Sequence, residues 1–111
     1  MFEKCSAIGY RQALDGIEQK TLVHGEKTLM VEFRLQKGVA LPLHSHPHEQ
    51  IGYLVKGQIR LTIGIDVHDV LPGDSWCIPG DVLHCAEIID NSVAVEVFSP
   101  VREDYLSPVT L

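Results

Sequence analysis

The sequence predicts an all-β fold, a small barrel or sandwich, on two observations: apolar and polar residues alternate over several short runs, and glycines or Pro-Gly pairs separate those runs. The clearest run sets Leu29, Val31, Phe33 and Leu35 against Met30, Glu32, Arg34 and Gln36, a period of two that sends the two sets to opposite faces of a strand. Shorter runs at 17–24, 51–55, 58–63, 76–78, 83–89 and 93–99 read as further strands. Between them fall Gly25, Gly38, Gly57, Pro72-Gly73 and Pro79-Gly80. The two Pro-Gly pairs suit the centre of a type II turn, where proline presets the first φ and glycine supplies the positive second one. Helical periodicity is nearly absent. Run 51–55 is apolar on both faces, so one face should line an interior and the other should be covered by a second sheet or subunit; a homodimer is expected.

At 111 residues the chain suits one domain. It has no repeat, low-complexity tract or internal linker, and only its ends, 1–9 and 107–111, are expected to be loosely held. Apolar residues make up 45% of it, yet no run approaches the ~18 consecutive apolar residues of a membrane-spanning helix, so no membrane partner is expected. The first residues lack the pattern of an export signal, which predicts a cytoplasmic address. Cys5, Cys77 and Cys85 form no CxxC pair, which argues for reduced thiols rather than a disulfide framework or zinc ribbon. Cys77 and Cys85 are expected to pack in the core. A net charge of −6 without a basic stripe disfavours nonspecific attraction to nucleic acid or anionic lipid, so no nucleic acid is expected as partner and a small molecule is.

The chemistry concentrates in residues 38–50, where His44, His46 and His48 occupy alternate positions and Gln50 keeps the same parity. An extended chain points such residues one way, so His44 and His46 can converge. His84, from a later strand after Pro79-Gly80, would close the site. Imidazole suits nickel, zinc, copper and iron, and the Gln50 amide oxygen adds a harder neutral donor. The competing reading is a histidine-bearing surface loop. Glu49, beside Gln50, has the opposite parity and should point outward. His48 is expected to face solvent, although a supporting role behind the ligands is the alternative.

These residues resemble the cupin superfamily, whose first motif is G(X)5HXH(X)3-4E(X)6G. Gly38, His44, His46, position 50 and Gly57 fit it, with Gln50 in place of the usual Glu. The second motif, G(X)5PXG(X)2H(X)3N, is met by Gly73, Pro79 and His84, while glycine comes one place early at Gly80 and Ile88 stands where Asn is usual. The resemblance implies one cupin domain over 1–111, a jelly-roll barrel core near 28–100, and one divalent transition metal (Ni, Zn, Fe, Mn or Cu) on His44, His46, Gln50 and His84. Four neutral donors would leave the ion's charge uncompensated and make it a strong Lewis acid.

The run 93–106, with Phe98-Ser99-Pro100-Val101-Arg102-Glu103-Asp104-Tyr105, is similar to the D-x-F-S-P-x-R-E-D-Y/F signature of the pectin-degradation KdgF family. That resemblance implies ring opening and tautomerisation of 4,5-unsaturated uronates, with a sugar acid as partner. It makes Glu96, where that family usually has Asp, the acid/base candidate, Phe98 a pocket wall and Arg102 the substrate-carboxylate partner. On physical grounds Glu96 and Phe98 share one strand face, and an arginine can pair bidentately with a carboxylate. A metal-dependent dioxygenase and a noncatalytic sugar-binding cupin are the alternative functions. Trp76 is expected to pack in the barrel, with sugar stacking as the alternative; His24 and His68 should be ordinary surface groups.

Overall fold

The computed structural model describes residues 1–106, so the expectation for 107–111 lies outside the described residues. Eight strands pair antiparallel: β1 (Arg11–Leu14), β2 (Ile17–His24), β3 (Leu29–Leu35), β4 (Ala40–His44), β5 (Glu49–Ile63), β6 (Asp66–Val70), β7 (Ser75–Ile78) and β8 (His84–Ser99). A 3-10 turn, Glu103–Tyr105, follows. The long strands β5 and β8 lie side by side and each serves two layers. Residues 49–56 and 93–99 form the centre of a larger sheet, β1–β2–β3–β8–β5–β7, while residues 58–63 and 84–90 carry β4 and β6 in a smaller one. The layers close over each other as a jelly-roll barrel, the expected architecture.

The sequence pattern splits each long strand in two, and the structure joins the halves. At Gly57 the backbone takes φ 96°, and an added Cβ there would collide with Asn91 O and Ser92 Oγ. Only glycine lets the two strands cross this corner so closely, and the ladder slips register beside it. The corner therefore bends a continuous strand instead of ending it. Three further strands, β1, β4 and β6, carry little alternation because they are short and mostly exposed. Leu71-Pro72-Gly73-Asp74 is the expected turn, with Gly73 at φ 94° and Asp74 N–H donating to Leu71 O at 3.0 Å. At Pro79-Gly80 the turn is shifted by one place. Asp81, at φ 65°, takes the left-handed position, and Val82 N–H points to Pro79 O at 3.4 Å.

Along the larger sheet, Gln50, Gly52 and Leu54 of β5, Trp76 and Ile78 of β7, and Ala94, Glu96 and Phe98 of β8 face inward. Ile17, Leu35, Leu54, Ile59, Leu61, Ile78 and Ile88 fill the barrel, while Leu29, Val31 and Phe98 form a second cluster capped by Tyr105 and Leu106. Cys77 is exposed, against the expectation of a core thiol: Trp76 and Ile78 take the inward positions of a four-residue strand, and alternation turns the residue between them outward. Cys85 is half-buried, and His24 and His68 are exposed as expected. Residues 1–9 contain no strand and are mostly exposed, with an anchor at Ser6. Lys20 is buried beneath them with its Nζ donating to Ser6 O at 2.8 Å, and Tyr10 donates to Glu32 while stacking 3.8 Å under the Arg34 guanidinium. Among the described residues no helix is long and apolar enough to cross a membrane.

Candidate metal centre and pocket

Three histidines arrive from three places. His44 ends β4, His46 lies in the loop after it, and His84 opens β8 in register with His44. The loop is tied to the Pro79–Val82 turn by Asp81 N–H donating to His46 O at 2.8 Å, and Gly80 passes so close to Pro47 O that a Cβ would stand 2.5 Å from it. The turn that delivers His84 thus also fixes His46. Potential ligand atoms of His44, His46 and His84 all lie within 4.8 Å of one another.

Each ring is held the same way. Nδ1 of His44 lies 2.7 Å from Pro42 O, that of His46 2.9 Å from His48 O, and that of His84 2.8 Å from Val82 O. A carbonyl oxygen only accepts, so every Nδ1 carries the proton and every Nε2 presents a lone pair. Burial lowers the pKa of His84, and burial with the Arg102 charge lowers that of His46, which favours the neutral ring in both. Two observations test whether these lone pairs suit a cation. His84 Nε2 is buried without a partner, a costly state unless something binds it. His46 Nε2 lies 2.7 Å from Gln50 Oε1, and the Gln50 amide is oriented by its NH2 group donating to Glu96. Two facing acceptors repel, and a shared cation turns that repulsion into attraction. The donor set, three imidazoles and one amide oxygen, therefore fits a divalent transition ion.

His48 does not face solvent as expected. Its side chain is half-buried with a buried, unpartnered Nδ1, and its backbone carbonyl is what orients His46. Glu49 is exposed, in keeping with its parity.

Behind the histidines lies an interior cavity of about 80 Å³ whose walls include Gln50, Trp76, Glu96, Phe98, Arg102 and Tyr105. Glu96 is enclosed by protein except where it meets this cavity. Burial pushes its carboxyl up to about 7, against the opposing pull of the Gln50 hydrogen bond and the Arg102 charge. Phe98 is fully buried, so it is both core and cavity wall. Arg102 stacks 3.9 Å over the Tyr105 ring and 5.2 Å over Phe98. Its Nε and Nη2 bond the Asp104 carboxylate at 3.3 and 2.8 Å, so one edge of the fork is already taken within the chain. Trp76 packs against Gly52, where an added Cβ would clash with the indole, and reaches the cavity from β7. Sequence reasoning gave Tyr105 no role; its place in a run with Arg102 was the available signal. Gly52 was missed because an inward glycine in a strand marks nothing until its cross-strand neighbours, Trp76 and Glu96, are known.

A larger polar depression, about 650 Å³, lies on the outer surface among Gln12, Glu18, Arg34, Lys56 and Asn91. It mixes both charges and gathers no histidines, so the smaller cavity behind the histidines is the candidate site.

Comparison with known proteins adds family to geometry. Residues 31–99 match the family described as cupin domain. The pectin degradation protein KdgF of Dickeya dadantii (strain 3937) is 29% identical over 94 residues, 83% of this chain and 86% of that protein. The solved structure of KdgF from Halomonas sp. superposes with a TM-score of 0.90 at 27% identity, covering 96% of this chain and 98% of the other. An RmlC-like cupin from Shewanella frigidimarina NCIMB 400 gives 0.84 at 24% identity, covering 96% and 100%, a likeness of fold.

Proposed function

The chain belongs to the cupin domain family, and on that premise we propose that it isomerises 4,5-unsaturated uronates to linear keto sugars. Its likeness to KdgF supports this reading. The observation that carries it is the Glu96 carboxyl, pushed up to about 7 inside a cavity that has neutral imidazoles on one side and the Arg102 guanidinium on the other.

His44, His46, His84 and Gln50 would hold the ion. Bound there, a divalent metal supplies Lewis acidity toward the substrate's oxygens, undiminished by any anionic donor. Glu96 takes the proton of the anomeric hydroxyl as the bond from C1 to the ring oxygen breaks, which leaves an aldehyde at C1 and an enolate at C5. It returns that proton to C4 as the enolate becomes a ketone, and is a carboxylate again. The sum is an isomerisation that needs no oxidant, and a carboxyl titrating near 7 serves in both directions at neutral pH. Asp104 holds one edge of Arg102 and so aims the other toward the uronate carboxylate. At about 80 Å³ the cavity takes the reacting edge of one sugar acid, with the remainder at the mouth beside exposed His44.

Loss of the unsaturated chromophore of 4,5-unsaturated galacturonate tests the proposal. Metal-loaded protein should bleach it, chelation should stop it, and Glu96→Gln should slow it by roughly 10²–10⁴-fold. Metal-loaded wild type that leaves the chromophore intact, or Glu96→Gln at the wild-type rate, overturns the assignment.

A further inference from the structure

Arg102 enters the cavity from a segment outside both sheets. Residues 100–106 leave the end of β8, pass through the Glu103–Tyr105 turn and bring a second side chain, Tyr105, to the same cavity wall. Residues three apart eclipse in a 3-10 turn, and the Arg102 guanidinium accordingly sits 3.9 Å over the Tyr105 ring. The ring is firmly placed. Thr21 of β2 donates to its backbone oxygen, Arg11 of β1 donates to the adjoining Asp104 O at 2.8 Å, and the Phe98 and Phe33 rings meet it edge to face at 5.3 and 6.2 Å. The hydroxyl is uncommitted. Among the described residues Tyr105 hydrogen-bonds only through its backbone, accepting from Thr21 and donating its N–H to Arg102 O at 2.9 Å. Burial raises the pKa of the phenol, the Arg102 charge pulls against that rise, and the Glu96 and Asp104 charges add to it. The hydroxyl therefore keeps its proton within electrostatic reach of all three groups.

We propose that the Tyr105 hydroxyl is a second anchor for the substrate carboxylate, donating to one oxygen while the free edge of Arg102 binds the other, so that the pair selects sugar acids over neutral sugars. This role rests on the sugar-acid reading of the cavity and names a residue that enforces it. An ionised carboxylate offers about four acceptor sites, and leaving them empty inside protein is costly. Few donors near the cavity can fill them. Arg102 has committed Nε and Nη2 to Asp104, Nδ1 of each histidine is turned to a backbone carbonyl, and the Gln50 amide donates to Glu96. The Trp76 indole belongs to β7. The Tyr105 hydroxyl alone is carried on the ring that Arg102 covers, where one carboxylate can touch both groups. The carboxylate keeps its charge throughout the isomerisation, so this hydrogen bond is made equally in the bound substrate and the transition state. Its loss shows in KM and not in kcat.

Tyr105→Phe is the test, because it keeps the ring with its stacking and edge contacts and removes only an oxygen that bonds nothing in the free protein. Without ligand its Tm should equal that of wild type. Two measurements then use metal-loaded protein. For 4,5-unsaturated galacturonate, KM should rise at least about tenfold with kcat unchanged. By calorimetry, saturated galacturonate, which has no double bond to isomerise, should lose affinity by the same factor, while its uncharged methyl ester should not distinguish the two proteins. Wild type that binds galacturonate more tightly than Tyr105→Phe but leaves the unsaturated chromophore intact supports the anchor and overturns the isomerase. Wild type that bleaches the chromophore beside a Tyr105→Phe with the same KM and the same galacturonate affinity overturns the anchor alone. A lower Tm without ligand, a fall in kcat without a rise in KM, or equal losses for galacturonate and its ester also overturns the anchor, since each marks a structural role. Wild type that neither bleaches the chromophore nor binds galacturonate overturns both.

Discussion

Gly52→Ala isolates the feature that shapes the cavity. The added methyl would stand closer than 3.0 Å to three atoms of the Trp76 indole, whereas carbon contacts rest at ~3.5–4.0 Å, so the ring must retreat by on the order of 1 Å. Two effects oppose. Alanine reduces the freedom of the unfolded chain and favours folding by ~0.4–1 kcal/mol. Overpacking a site costs ~1–3 kcal/mol, and the clash wins because three indole atoms stand in the way of the methyl and the whole ring must shift. A net loss of about 1–2 kcal/mol follows, a fall in Tm of roughly 4–12 °C for a chain of this size. Trp76 is the chain's one tryptophan, so intrinsic emission reports the displaced ring directly. Scanning calorimetry and emission spectra suffice as assays. Trp76→Leu in the Gly52→Ala background should cost less than the two single changes added together, because the methyl then enters vacated space. An unshifted spectrum with an unchanged Tm, or strict additivity in the double variant, would refute the packing argument.

Other outcomes follow from the same geometry. In chelated protein Glu96 holds its proton up to about pH 7 when folded but only to about 4.5 when unfolded; its contribution to stability is intact below 4.5, declines as pH rises to 7 and is flat above. His46 and His84, lowered below 6.5 in the folded state, act in the opposite sense, with stability lost as pH falls below 6.5. Glu96→Gln should therefore gain on wild type progressively between pH 4.5 and 7 in denaturant titrations, and a constant offset across that window would contradict the burial of the carboxyl. Asp81→Gly should raise Tm by a few degrees, since an L residue at φ 65° bears a steric cost of up to ~1 kcal/mol that glycine does not. Gly80→Ala, which must push Pro47 away, should weaken metal affinity measured by competition with a chromophoric chelator. A Tm drop for the first, or unchanged affinity for the second, would count against the coupling of loop and turn.

How much of this was legible in the sequence depended on whether the signal was local. Alternation in β3 reports a strand buried on one face, and the run reads off correctly because its neighbours do not alter its parity. β6, with Asp66, His68 and Asp69, sits at a sheet edge where little is buried, so no period is imposed on it. Gly57 looked like a boundary because glycine usually ends a run; that it bends a continuous strand is decided by Asn91 and Ser92, some thirty-five residues away in sequence. The same distance effect displaced Cys77, whose side was settled by Trp76 finding the space above Gly52.

The histidine cluster was legible for a related reason, and its surroundings were not. Parity along 44–50 follows from the backbone alone, so His44, His46 and Gln50 could be aligned before any fold was known. What makes them a site is the set of backbone carbonyls of Pro42, His48 and Val82 that fix each Nδ1 proton, and a carbonyl has no letter in a sequence. The shifted turn completes the point. Glycine one place early reads as a flaw in the motif, yet the fold uses both residues: Gly80 admits Pro47 against the backbone, while Asp81 accepts the positive φ and donates its N–H to His46. A departure from a pattern is thus best judged by which backbone task each position performs, and here the two tasks that one glycine would share are divided between neighbours.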